Sequence, residues 1–155
     1  MAATVQPKSE IAQGQLIAVI RIRGSKETRT GVEATLSSHL HMSRKFHCFA
    51  LPFNATVKGW LQFAKDYITF APISMQVLEE LIAKRGRTEG DKPVQPGEVK
   101  KLAGEMAAGV KTSLKPFRLA PPLGGFRKST KLAFPRGELG KRDQESMEKL
   151  LRAMI

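Results

Sequence analysis

Residues 16–23 read Leu-Ile-Ala-Val-Ile-Arg-Ile-Arg. The run is rich in β-branched side chains. It alternates Ile20 and Ile22 against Arg21 and Arg23, which predicts a strand with one buried face and one basic face. Gly24 and Ser25 end it. Val32, Leu36 and Leu40 recur every four residues on one stripe, which predicts a helix over 28–41. Gly31 weakens that helix by about 1 kcal/mol relative to alanine. A second strand is predicted at 46–51, stopped by Pro52. Residues 55–64 predict a short helix burying Val57, Trp60 and Leu61, and 67–70 a third strand closed by Pro72. Ser74 is the expected cap of a helix that runs to Lys84, with Met75, Leu78, Leu81 and Ile82 as its apolar stripe and Gly86 as its stop.

The order strand, helix, strand, helix, strand, helix predicts an α/β fold. It is a small two-layer β-α-β-α-β core, a three-stranded mainly antiparallel sheet with helices on one face. Beyond Gly86 the texture changes. Residues 88–97 are rich in Pro, Gly and charge and read as a linker. A helix is expected over 96–107, with Pro96 at its first position, where a missing N–H does no harm. Residues 112–142 hold Pro, Gly and basic residues with apolar groups scattered singly, so the stretch is not expected to fold on its own. Residues 144–155 return to helix, with Met147, Leu150, Leu151 and Met154 on one stripe. The expected organisation is a flexible N-terminus at 1–14, a core at 15–87, and a helical and irregular basic extension at 88–155 that ends in a helix.

Charge sharpens this picture. The 155 residues carry 26 Lys plus Arg against 14 Asp plus Glu, a net charge of +12. Residues 106–142 concentrate it, with 9 basic side chains and 1 acidic one. Such a block repels itself unless a polyanion neutralises it, and nucleic acid is the usual polyanion. An anionic membrane or an acidic protein is the competitor. A membrane surface calls for an amphipathic basic helix, whereas this block is rich in Pro and Gly. Cys48 stands alone, which excludes an intrachain disulfide and fits a reducing interior. Residues 1–14 lack the apolar stretch of a signal peptide, and the longest apolar run, 16–20, is too short to span a bilayer. A cytoplasmic protein is expected.

The tract 114–131 interleaves basic residues with Pro, Gly and Phe. Pro stiffens it, Gly lets backbone approach phosphate, and Lys and Arg supply attraction. Lys84, Arg85 and Arg87 flank a helix end, where cations also serve the helix dipole. The candidate RNA-binding set is therefore Arg21, Arg23, Lys26, Arg29, Arg44, Lys45, Lys84, Arg85, Arg87, Lys115, Arg118, Arg127, Lys128, Lys131, Arg136, Lys141 and Arg142. Phe117 and Phe126 are expected to anchor the tract on the core rather than stack on unpaired bases. His39, His41, His47 and Cys48 do not form a metal-ligand pattern, so no metal or cofactor is expected. No nucleophile elbow, dinucleotide fingerprint, P-loop or zinc-protease motif is present, so no enzyme is expected.

Six segments in order carry a further signal. They are residues 16–24; Val57-Lys58-Gly59-Trp60-Leu61; Lys65-Asp66-Tyr67-Ile68-Thr69-Phe70; Leu81-Ile82-Ala83-Lys84-Arg85-Gly86-Arg87; Phe117-Arg118-Leu119-Ala120-Pro121-Pro122 with Gly124-Gly125-Phe126; and Leu139-Gly140 leading to Leu150-Leu151-Arg152-Ala153-Met154. Over about residues 15–155 the chain resembles the archaeal and eukaryotic branch of the thirtieth large-subunit ribosomal protein family. The resemblance implies the small core plus a C-terminal extension, binding to large-subunit ribosomal RNA near 5S RNA, neighbouring ribosomal proteins as partners, and a place in the ribosome. It adds Lys58 and Gly59 to the residues expected to face RNA. The lack of a long basic N-terminal arm implies an archaeal source. A homo-oligomer is not expected. The alternative to a structural constituent is a transient RNA-binding ribosome-assembly factor.

Overall fold

The computed structural model describes residues 11–26 and 28–155. Most of the expected flexible N-terminus lies outside the described residues. The elements in chain order are β1 (Leu16–Arg21), α1 (Thr30–Ser38), β2 (His47–Pro52), α2 (Ala55–Ala64), β3 (Ile68–Pro72), α3 (Met75–Arg85), α4 (Val99–Ala107), β4 (Phe117–Arg118), β5 (Ser129–Ala133), β6 (Gly137–Lys141) and α5 (Gln144–Met154). The α/β class stands. The sheet is wider than three strands: six lie in the order β4-β2-β1-β3-β6-β5.

β1 is central. It pairs antiparallel with β2, Val19 opposite Phe49, and antiparallel with β3, Val19 opposite Phe70. All six of its residues are buried. Alternate side chains enter two separate cores. Ile17 and Val19 meet Val32 and Leu36 of α1 and Val57 and Leu61 of α2. Leu16, Ala18 and Ile20 meet Leu78 and Leu81 of α3, Ala103 and Met106 of α4, and Met147 and Leu151 of α5. Helices thus cover both faces, which corrects the expectation of one. The same parity corrects the basic face of β1. Arg21 points with Ile17 and Val19, under α1, and is fully buried.

The basic extension does not stand apart. β4 extends the edge at β2, with Cys48 opposite Phe117. β6 extends the opposite edge, parallel to β3, with Thr69 opposite Gly140. β5 pairs irregularly with β6. A stretch that cannot build a core of its own can still complete one, because the central strands leave two open ladder edges and half a core. Leu114, Phe117 and Leu119 enter the same apolar cluster as Ile20 and Leu81. Phe126 rests on Phe46, ring centroids 6.1 Å apart. Both phenylalanines therefore anchor the tract.

Three local details differ from the expectation. α1 is shorter than 28–41, and its exit turns through His41 in the left-handed region at φ 54°. Ser74 precedes α3 but makes no side-chain cap bond. Its backbone N–H instead donates to Glu148 Oε1 of α5 at 3.0 Å. The expected linker folds back on itself, with Arg87 bridged to Pro93 and Thr88 to Leu114.

Candidate nucleic-acid interface

The strand registers gather one end of the sheet. Arg21 ends β1 opposite Ile68 at the start of β3, and His47 starts β2 opposite Arg118 at the end of β4. The segments flanking those residues therefore converge: 22–26 after β1, 44–46 before β2, and Tyr67 before β3. Most of the exposed candidate cations sit on or near this rim.

Two concavities open there. The larger, about 310 Å³, is lined among others by Arg23, Lys26, Lys45, Tyr67, Thr130 and Lys131. Among the described residues no carboxylate lines it. The Arg23 guanidinium lies over the Tyr67 ring, 5.2 Å from its centroid. Lys45 Nζ lies 5.1 Å from the Phe46 centroid. The smaller, about 180 Å³, is lined by Lys84, Arg85, Arg87, Asp91 and Arg118. Its cations are partly occupied. Arg85 donates twice to the Ile155 carbonyl, at 2.8 and 3.1 Å. Arg87 donates to the Asp91 carbonyl at 3.2 Å, and Arg118 stands 3.9 Å from the Asp91 carboxylate.

His47 sits behind this rim. Burial pushes its imidazole pKa below the ordinary value, and the cations of Arg118, Arg44 and Arg21 push it the same way. The rim is thus positive enough to disfavour one more charge.

Two expected site residues serve the fold instead. Arg21 donates to both carboxylate oxygens of Glu33, at 3.0 and 2.6 Å, and to the Met42 carbonyl at 2.7 Å. Arg142 is buried beside β6, paired with Glu138, and burial lowers its pKa. Its backbone N–H donates to the Phe70 carbonyl at 2.9 Å, which ties the end of β6 to β3. Both side chains are withdrawn from any surface ligand.

The other candidates divide by place. Arg29 precedes α1, and Arg44 precedes β2; both are exposed. Arg127 and Arg136 are exposed in loops on either side of β5. Lys128 is exposed, and its ammonium donates to the Pro135 carbonyl at 2.7 Å. Lys115 and Lys141 are half-buried. Lys58 and Gly59 are exposed in the first half of α2, which starts where β2 ends, at the opposite end of the sheet. They do not join the rim. Sequence reading missed Tyr67 and Thr130 as lining residues. Their place depends on which strand ends lie side by side, and no local pattern announces that.

The fold and the rim define a small, strongly basic α/β protein with two cation-lined concavities at one end of a mixed sheet. Its relatives make the class particular. The chain is 39% identical, over 161 residues, to the large ribosomal subunit protein uL30 of Staphylothermus marinus, an alignment covering 90% of this chain and 98% of that one. It is 35% identical to uL30 of Methanosphaera stadtmanae, covering 90% and 100%. It is 34% identical to uL30 of Hyperthermus butylicus, covering 99% of each. No family model matches the chain. The chain belongs to the uL30 family of large ribosomal subunit proteins.

Proposed function

We propose that this chain is a structural constituent of the large ribosomal subunit, in the cytoplasm, and holds ribosomal RNA through the basic rim. One observation carries the reading: four segments distant in sequence bring Arg23, Lys26, Lys45 and Lys131 around a single cleft that no described carboxylate lines. Phosphates are the ligand such a surface suits, because each contact releases condensed counterions. The two clefts lie on a folded scaffold, so phosphate spacing and RNA shape set the fit more than base edges do. Neighbouring ribosomal proteins and a position near 5S RNA complete the reading. The residues in named roles are Lys26, Lys45 and Lys131 at the larger cleft, and Lys84, Arg87 and Arg118 at the smaller.

The test is the salt dependence of binding to large-subunit RNA. Joint replacement of Lys26, Lys45 and Lys131 by Gln should weaken binding and reduce the salt slope by about two to three, at ~0.7–0.9 per phosphate contact. An unchanged slope would reject those three as phosphate contacts. Gradient sedimentation of lysate in high salt separates the constituent from the assembly factor. A constituent stays with the mature subunit at about one copy each, whereas a factor washes off or runs with precursors.

A further inference from the structure

The larger cleft holds more than a row of cations. Tyr67 is the single tyrosine of the sequence and stands half-buried at the cleft. The Arg23 guanidinium covers one side of its ring at 5.2 Å. A ring and a guanidinium thus lie close together in a concavity that Lys26, Lys45 and Lys131 also line. A track for duplex backbone needs only the cations. A ring and a guanidinium together suit the flat face of an unstacked base.

The volume agrees. At about 310 Å³ the cleft stands at the low end of the ~300–1,000 Å³ range of small-ligand pockets, the scale of one nucleotide rather than a stacked pair. Thr130 adds to the lining a hydroxyl, which can donate and accept.

We infer that this cleft accepts one unpaired nucleotide of the bound RNA, its base stacked on the Arg23–Tyr67 pair and its phosphate held by Lys26, Lys45 and Lys131. The inference rests on the RNA-binding reading above and goes past it: it assigns the site a single-stranded element, a bulge or loop, rather than a continuous helix. Tyr67 would be a binding residue that acts through its ring, so the hydroxyl is dispensable and the aromatic face is not.

The test uses the full chain and two RNA hairpins with the same stem, one perfectly paired and one with a single bulged 2-aminopurine. The bulged hairpin should bind roughly 5- to 150-fold more tightly, the range for one base stacked on an aromatic side chain. Its fluorescence should be quenched in the complex. Tyr67→Phe should keep the preference, and Tyr67→Leu should lose most of it while the salt slope stays put. Equal binding of the two hairpins, with the probe unquenched, overturns the inference and leaves the RNA-binding reading standing. So does a preference that survives Tyr67→Leu. Displacement of the hairpins by poly-glutamate with no difference between them assigns the cleft to an acidic protein segment and overturns it too. Failure to bind either hairpin at low salt removes both readings. The wild-type comparison needs no variant, so a misfolded Tyr67→Leu leaves the test intact.

Discussion

At the residue scale, Arg21 and Arg23 show what alternation can and cannot say. They stand two apart on one strand, carry the same charge, and have opposite fates. Arg23 lines a cleft, whereas Arg21 is fully buried against α1. The period-2 pattern correctly separated Ile20 and Ile22 from the arginines. It could not show that a second helical layer covers the arginine side, because that depends on where α1 and α2 dock. The signal that was available is Glu33, a first-turn acid on the helix that follows. A guanidinium without solvent must be paired, so removing its carboxylate is costly. Glu33→Gln should destabilise the protein by about 3 kcal/mol, since breaking a buried pair leaves an uncompensated charge. Thermal unfolding should show a midpoint lowered by about 6–12 °C, and a shift under ~2 °C would mean that solvent reaches Arg21.

At the element scale, β1, β2, β3 and the five helices were legible, because each carries its own periodicity or breaker. β5 and β6 were not. β6 reads Gly-Glu-Leu-Gly-Lys, with two glycines and little β-propensity, yet its first four residues are buried. It is a strand because β3 offers an open edge and because Arg142, Glu138 and Thr69 fasten it there. The Thr69 hydroxyl donates to the Gly140 carbonyl at 3.2 Å. Gly137 has a steric reason of its own: a Cβ there would sit 2.0 Å from the Leu132 carbonyl oxygen. Gly137→Ala should therefore push β5 from β6 and cost about 2 kcal/mol, as overpacking does. Amide exchange should accelerate at 129–133 before it does in β1. Uniform acceleration would show that the two strands do not yield separately.

At the scale of the whole molecule, composition pointed to a polyanion partner, and charge was densest in residues 106–142. Composition did not foretell that the expected core and extension pack together. One apolar cluster joins Leu16, Ala18 and Ile20 to Met106, Phe117, Met147 and Leu151. The boundary expected at 87/88 is a change of composition across continuous packing. Removing residues 88–155 would strip α4, α5 and Phe117 from that side of the sheet and leave α3 alone over it. The full chain should unfold in one cooperative transition, with urea midpoints that coincide by circular dichroism and Trp60 fluorescence. The 1–87 fragment should show no such transition. Separate transitions in the full chain would restore the two-part description.

The larger cleft draws on residues 23–26, 45, 67 and 130–131, so its last wall is supplied more than sixty positions after Tyr67. Synthesis is vectorial, and closure of such distant segments is slow relative to local helix formation. During most of its production the chain therefore presents positive charge without a receptor. Its first encounters with a polyanion are governed by net charge and are indiscriminate. If the cleft reads RNA as proposed, discrimination begins only when β5 and β6 have seated, which makes selectivity a late event in the life of each molecule.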